Sequence, residues 1–219
     1  MMRQKSDKAI AASLIAIMVV WLANGLYLGP LSRYSVAAFW SADLLQWIFL
    51  PALLAGYLAT KHHILPHHYG FSASLFSIKT LAWGALTTLT FFPAYFWIEE
   101  YTRPLFGWSA KYFALESVYP GGGWGTVVWI YSAMTAGVVE SIFFIGLPWL
   151  LWSRYRQGKV LLFSCISSLV FASAHWEQGP HVVAGALAFN LVACAWYLRL
   201  KNLWPVVIGH VTVDLIALG

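Results

Sequence analysis

Long apolar stretches constrain this chain more than any other feature of its sequence. A helix needs about 20 residues to cross a hydrocarbon core ~30 Å thick. Seven stretches approach or exceed that length, namely residues 10–29, 38–59, 77–98, 124–152, 160–175, 183–198 and 203–218. Only 10% of the 219 residues are charged, against about 25% in a typical soluble domain. The sequence therefore predicts an all-α fold: one integral membrane domain over residues 1–219, a polytopic bundle of about seven transmembrane helices.

The basic residues predict how this bundle is oriented. Ten of the 13 fall before the first span or in alternate loops: Arg3, Lys5, Lys8, Lys61, Lys79, Arg154, Arg156, Lys159, Arg199 and Lys201. Arg33, Arg103 and Lys111 fall on the other side. The positive-inside rule then makes the N-terminus cytoplasmic and the C-terminus external. Basic residues dispersed over short loops predict a lipid bilayer as partner and no nucleic acid, and the small size fits a prokaryotic cell (inner) membrane.

The loops and cysteines carry weaker signals. The longest loop, residues 99–123, is rich in aromatic side chains, which predicts an interfacial segment with a short helix at about 109–117. Paired histidines in the second loop (His62, His63, His67 and His68) lack thiolate or carboxylate partners, so an exposed interfacial loop is expected rather than a metal site. Cys165 and Cys194 lie inside predicted spans and are expected to be small apolar fillers.

Few ionisable side chains fall inside the spans, where each costs about 2.5–3.5 kcal/mol and usually marks function. Asp43 lies near a helix end and is expected to reach the interface. Glu140, His175, His210 and Asp214 lie deeper: counted from the cytoplasmic charges at ~1.5 Å per residue, their depths are roughly 14 to 24 Å. Three spans thus bring four acid–base groups to one level, which predicts a shared polar cavity.

Such a set is compatible with three chemistries. A carboxylate beside a neutral His can deprotonate a water, while a second His stabilises the oxyanion of a tetrahedral intermediate. His210 and Asp214, four residues apart, share one helix face for that purpose. The same four residues could instead ligate zinc with one position open for water. They could also form the proton relay of a transporter.

Three motifs on these spans resemble those of the CPBP family of intramembrane proteases, which includes CAAX prenyl endopeptidases and is also called the ABI family. Glu140–Gly146 (ESIFFIG) resembles the family's Glu-Glu-x-x-x-Arg motif. Phe171–His175 (FASAH) fits Phe-x-x-x-His, and His210–Asp214 (HVTVD) fits His-x-x-x-Asn/Asp. The resemblance covers residues 124–219, a family-like catalytic core, whereas the first half matches only as membrane helices.

The resemblance implies cleavage of a peptide bond in a membrane-associated protein or peptide. Glu140 and His175 would activate water, and His210 with Asp214 would bind the oxyanion. A glutamate-type mechanism without a cofactor is expected, with zinc as the alternative. Substrate types compatible with the sequence are a prenylated protein, a bacteriocin leader and a C-terminal sorting tag.

The chain departs from the family pattern at two positions of the first motif. Ser141 stands where the second Glu is usual, and Ile145 stands where the Arg is usual. In addition, an ionised Asp214 would repel an oxyanion, so Asp214 would act either protonated or by orienting His210. A catalytically inactive member that binds membrane substrates is therefore the alternative function.

Overall fold

The computed structural model describes residues 2–106, 124–156 and 158–218. All regular structure in these ranges is helical, as the sequence predicts. Eight helices follow in order: α1 (Met2–Leu22), α2 (Asn24–Tyr34), α3 (Val36–His62), α4 (Ile78–Phe106), α5 (Trp124–Trp152), α6 (Val160–Ser173), α7 (Pro180–Leu200) and α8 (Trp204–Leu218). Short 3₁₀ turns lie at Pro66–Tyr69, Ala73–Leu75 and Trp176–Gln178. The interfacial helix predicted at 109–117 lies outside the described residues.

The number of full membrane crossings differs from the predicted seven. Four described helices, α3, α4, α5 and α7, are long and apolar enough to cross a bilayer. The pair α1 and α2, bent by 47° at Ala23, adds a fifth if it is one span. Helices α6 and α8 are apolar but shorter than a full span. The multi-pass helical membrane fold is therefore confirmed, while the count of seven is not.

Two helices change hydrogen-bond register inside the membrane. Helix α3 contains a π-helical segment at Leu45–Phe49, and α5 contains a longer one at Ala136–Gly146. Such π-helical segments are rare and often lie at functional sites. The segment in α5 carries Glu140, and all but four of its 11 residues are buried.

Glycines let α8 approach two neighbouring helices closely. A Cβ at Gly209 would lie 2.4 Å from Oγ1 of Thr87 in α4. A Cβ at Gly137 in α5 would lie 2.4 Å from Cγ2 and 2.9 Å from the backbone nitrogen of Val211 in α8. In membranes, small residues commonly allow such backbone approach, because packing and not apolar burial drives helix association.

The loops that carry most basic residues meet on one face of the bundle, here called the basic face. At the start of α1, Asp7 contacts Arg154 and Tyr155, which follow α5. The amide of Leu203 donates to the carbonyl of Gly70 (2.8 Å), joining the α7–α8 connection to the loop after α3. These contacts involve the ends of five helices, α1, α3, α5, α7 and α8, as the charge distribution predicts. The assignment of this face to the cytoplasm stays a prediction.

Aromatic contacts cover the same face. The Tyr197 hydroxyl donates to the carbonyl of Tyr69 (3.1 Å), and the Lys201 ammonium lies 3.9 Å from the centre of the Trp149 ring. Burial raises the pKa of Tyr69 to about 12, so its phenol stays neutral at physiological pH. The basic face is therefore closed by packed side chains and not only by loops.

Adding a methyl group at Gly137 is expected to destabilise the fold. Its Cβ would meet backbone as well as side-chain atoms of α8, and overpacking of this kind costs about 1–3 kcal/mol. We expect Gly137→Ala to lower the midpoint of thermal unfolding in detergent. Gly56→Ala is the matched control, since a Cβ there meets nothing within 4 Å and Ala favours helix over Gly. Equal effects of the two substitutions would contradict the close approach of α5 and α8.

Candidate active site

Three of the four residues predicted from the sequence form one compact cluster. Nε2 of His210 lies 3.5 Å from Oε2 of Glu140 and 3.5 Å from Oδ2 of Asp214. Glu140 and His210 are buried, with 7% and 5% of their surface exposed, whereas the Asp214 side chain exposes 23%. One imidazole nitrogen thus lies between two carboxyl groups. A proton on that nitrogen can be donated to only one of them at a time.

Aromatic rings hold His210 in place. The Phe189 ring of α7 lies 4.6 Å from the imidazole centre, and the Phe171 ring of α6 lies 6.2 Å away. Phe171 is also stacked with Phe189 at 5.9 Å. The phenylalanine of the second motif thus packs between two helices and against the histidine of the third motif.

His175, the fourth predicted residue, lies on the other side of Phe171. Their rings are 4.7 Å apart, and Nδ1 of His175 lies 2.9 Å from the Phe171 carbonyl. Since a carbonyl only accepts, Nδ1 carries the proton and Nε2 of a neutral His175 keeps a free lone pair. The sequence placed His175 inside a span at 160–175, but α6 ends at Ser173 and His175 lies in the connecting turn. The two imidazoles are near enough to interact electrostatically.

Ser141 and Ile145, the two residues that depart from the family motif, contact nearby backbone or apolar side chains. The Ser141 hydroxyl donates to the carbonyl of Gly137 (2.6 Å) within the same π-helical segment. Ile145 exposes 2% of its surface and belongs to the main hydrophobic core. Neither residue supplies a charge to orient Glu140.

Glu177 is a site residue that the sequence analysis missed. It lies in the Trp176–Gln178 turn, two residues after His175, and exposes 6% of its surface. Among the described residues its Oε2 atom has no hydrogen-bond partner, and its charge interacts with that of Glu140. A second carboxyl thus comes near Glu140 from another element. The sequence signal that could have identified Glu177 is its position, two residues after His175 of the second motif.

A buried polar cluster beside the site was also missed. The Asn190 amide of α7 donates to the hydroxyls of Ser167 and Ser168 in α6, each at 3.2 Å. The Ser167 hydroxyl in turn donates to the Phe144 carbonyl of α5 (2.5 Å). Cys194, the expected apolar filler, is buried against this cluster and its thiol lies 3.6 Å from Ser167 Oγ. These bonds join α5, which carries Glu140, to α6, which ends just before His175, and to α7, which carries Phe189.

Loss of the Asn190 amide is expected to loosen this three-helix junction. Asn190→Ala leaves two buried serine hydroxyls without their shared donor, and such a loss typically costs about 1–3 kcal/mol. We expect a lower unfolding midpoint in detergent. The control is Ser173→Ala. The Ser173 hydroxyl donates only to the Leu169 carbonyl of its own helix, so its loss should change the unfolding midpoint little. A midpoint unchanged by Asn190→Ala would show that the cluster contributes no net stability.

The other residues considered from the sequence have structural partners. Asp43 is buried and accepts a hydrogen bond from the Tyr131 hydroxyl (2.7 Å), so it joins α3 to α5. In the second loop, His62 is bonded to Tyr57, and His68 accepts from the Leu65 amide. Burial and the neighbouring His67 charge lower the pKa of His68.

The donor set does not form a ready metal site. In the described ranges, no group of three or more His, Cys, Asp or Glu side chains has a geometry that could hold a metal ion. The zinc alternative stays a prediction, which cleavage in the presence of a chelator tests.

Two cavities of about 320 and 340 Å³ lie between the helices, and both are apolar. The first lies between α3 and α5, beside Trp47 and Val139, and the second lies among α1, α5 and α6, beside Met18 and Phe163. Neither is lined by any of the four predicted residues. The shared polar cavity expected from the sequence is thus not one of these two cavities.

Fold and site together define a polytopic helical membrane protein with a buried acid–base cluster. A protein-family model described as type II CAAX prenyl endopeptidase Rce1-like matches residues 122–216. The resemblance to the CPBP (CAAX protease) family is thereby confirmed over this region of the chain. Comparison with curated proteins and with solved structures gives no significant match. The matched family implies the activity of a CAAX-type intramembrane endopeptidase that acts on a membrane-associated substrate.

Proposed function

We propose that the protein is a glutamate-type intramembrane endopeptidase that hydrolyses a peptide bond of a membrane-associated protein or peptide. The observation that carries this proposal is the placement of His210 Nε2 within 3.5 Å of both Glu140 and Asp214. An acid, a base and a hydrogen-bond donor thus converge at one point inside the membrane. General acid–base catalysis requires this kind of proximity before anything else.

Water activation is assigned to Glu140 and His175. The Glu140 carboxylate takes a proton from a water molecule, and the oxygen attacks the carbonyl carbon of the scissile bond. His175 orients that water through its Nε2 lone pair, because its Nδ1–H is engaged by the Phe171 carbonyl. The proton held by Glu140 then passes to the leaving amine nitrogen as the carbon–nitrogen bond breaks.

Oxyanion stabilisation is assigned to His210 and Asp214. The His210 Nε2–H donates to the negative oxygen of the tetrahedral intermediate, which displaces the carboxyl contacts of the free enzyme. Asp214 faces the same nitrogen and not the opposite side of the ring. A protonated Asp214 is therefore a second donor to the oxyanion, the task that Asn performs in other versions of the motif, and not a residue that orients His210 through Nδ1.

Removal of the Glu140 charge is expected to abolish cleavage. Glu140→Gln keeps the shape of the side chain but cannot accept a proton, so cleavage should fall by at least ~100-fold. The assay incubates purified protein with a panel of membrane-anchored peptides and detects the products by mass spectrometry. Glu100→Gln is the control, since the Glu100 side chain is 76% exposed near the end of α4. Cleavage that persists in Glu140→Gln would mean that the assignment of this residue is wrong.

A chelator arm in the same assay tests the metal alternative. Cleavage that is unchanged by a strong chelator supports the glutamate-type mechanism. Cleavage that is lost with the chelator and restored by added zinc would move the mechanism to a metalloprotease.

Because Asp214 is proposed to donate a hydrogen bond to the oxyanion, we expect Asn and Leu at this position to have different effects on cleavage. Asp214→Asn retains a donor beside His210 and should keep at least about a tenth of the cleavage rate. Asp214→Leu has no polar group and should lose roughly 100-fold or more. Equal loss in both variants would show that the carboxyl acts as an acceptor or as a charge and not as a donor.

The substitutions at Ser141 and Ile145 favour a second candidate, a catalytically inactive family member that binds membrane substrates. Neither side chain supplies the acidic or basic group of the family motif, and both are engaged locally. Such a protein would give the same cellular phenotype with wild-type Glu140 and with Glu140→Gln. Loss of function in Glu140→Gln, with unchanged protein level, decides for the protease.

A further inference from the structure

The side of the cluster that faces the basic face is closed by apolar packing. Moving from Glu140 and His210 towards that face, each of three helices presents buried side chains: Phe143 and Phe144 in α5, Ala193 and Tyr197 in α7, and Val206 and Val207 in α8. Each exposes at most 4% of its surface. Beyond them, the contacts of Tyr69, Trp149 and Lys201 close the loops. The Asn190, Ser167 and Ser168 side chains lie at the same level, but they bond to one another and to the Phe144 carbonyl. Among the described residues, water and a polypeptide backbone therefore have no open polar path through this layer.

The opposite side of the cluster becomes steadily more polar. On α4, residues spaced by four share one face: Phe91 is fully buried, Tyr95 follows, then Glu99, and finally Arg103, whose side chain is 51% exposed. The Arg103 guanidinium donates to Glu99 Oε1 (2.7 Å). This face of α4 thus leads from the apolar interior to a charged rim.

Residues of α7 lie alongside this face of α4, so the two helices form two facing walls. Nε2 of His181 lies 3.8 Å from Oε1 of Glu99. One turn further in, Gly185 lies against Tyr95, since a Cβ there would be 3.0 Å from the Tyr95 carbonyl oxygen. Another turn further in is Phe189, the ring that packs on His210.

These two walls reach the cluster itself. The Tyr95 and Phe189 rings are 6.3 Å apart, so the residues of α4 reach the ring that packs on His210. Asp214 is the most exposed carboxyl of the cluster and lies one helical turn beyond His210 on this side. The turn after His175 also ends here, with Trp176 exposing 38% of its surface. Polar side chains therefore connect the acid–base cluster to one face only among the described residues.

We propose that the site opens to the membrane face opposite the basic face, and that its substrate is an exported polypeptide held at that face by its own hydrophobic anchor. The positive-inside rule makes the basic face cytoplasmic, so the open face is extracytoplasmic. The choice of substrate rests on the peptidase activity proposed above, whereas the direction of opening does not. A scissile bond near the outer end of a membrane anchor reaches the cluster from that side. A bond on a cytoplasmic protein meets the closed apolar layer.

Cysteine labelling tests the direction of opening without any catalysis. The variants Asp214→Cys and Val207→Cys place a thiol on α8 on either side of His210, and Ser74→Cys marks the loop on the basic face. All carry Cys165→Ser, while the fully buried Cys194 is left in place. A small membrane-impermeant methanethiosulfonate reagent is added to sealed right-side-out vesicles and, separately, to inside-out vesicles.

We expect Asp214→Cys to react at least ten-fold faster in right-side-out vesicles, Ser74→Cys to show the opposite preference, and Val207→Cys to react in neither. If Asp214→Cys does not accumulate as folded protein, Trp176→Cys replaces it as the readout. Labelling from the side that labels Ser74→Cys, or from neither side, overturns the proposed opening. Labelling of Val207→Cys overturns the closed layer.

A second measurement separates the substrate proposal from the peptidase proposal. Peptides with a hydrophobic anchor are inserted with the scissile segment on one defined side of sealed vesicles that contain the protein. Cleavage only of segments on the side that labels Asp214→Cys supports an exported substrate. Cleavage only on the Ser74 side overturns it. Failure to cleave on either side, with the expected labelling, counts against the peptidase and leaves the opening intact.

Discussion

The close approach of α8 to α4 and α5 is the contact on which the rest of the site depends. Gly209 and Gly137 remove the side chains that would keep these helices apart, and both contacts lie next to His210 in space or in sequence. The Trp129 indole donates to the Leu215 carbonyl (3.0 Å) and holds the far end of α8 against α5. Because α8 lies this close, the imidazole reaches the Glu140 carboxyl. In a bilayer, close packing of this kind drives helix association, because burial of apolar surface gives little gain there.

Buried polar groups in this bundle are joined to one another across helices. Asp43 meets Tyr131 between α3 and α5, and Asn190 meets Ser167 and Ser168 between α6 and α7. Each pair satisfies donors and acceptors that lipid cannot satisfy. Three buried side-chain atoms of the described residues lack a hydrogen-bond partner, namely the indole nitrogens of Trp21 and Trp152 and Oε2 of Glu177. Burial of a carboxyl oxygen without a partner is costly, and Glu177 is the one of these three residues that lies in the turn directly after His175.

The asymmetry of the interior matters as much as its chemistry. Between the acid–base cluster and the basic face the described interior is mainly aromatic and aliphatic, apart from the hydrogen-bonded cluster of Asn190, Ser167 and Ser168. Tyr95, His181 and Glu99 lie towards the other half. The low polarity of the closed half strengthens electrostatic interactions at the cluster. The more polar half provides a route for water, which a hydrolase must admit into an otherwise dry membrane.

The sequence predicted the helical membrane fold and the grouping of Glu140, His210 and Asp214, because hydropathy and residue spacing determine approximate depth along each helix. Depth says nothing about rotation around the helix axis or about where a helix ends. His175 illustrates this limit, since α6 stops two residues before it and the turn decides where its ring points. The π-helical segment around Glu140 has no signature in the hydropathy pattern, because it is a change of hydrogen-bond register and not of composition.

What the sequence by itself determined is thus a set of acid–base groups at one level of a membrane bundle and the family motifs that contain them. Tertiary structure alone decided that Asp214 and Glu140 share the same imidazole nitrogen, that Glu177 is buried in the turn after His175, and that Asn190 connects the surrounding helices. The physical reason is that these relations depend on distances between helices. Such distances are set by interhelical packing at glycines, serines and aromatic rings, and not by the periodicity of any one segment.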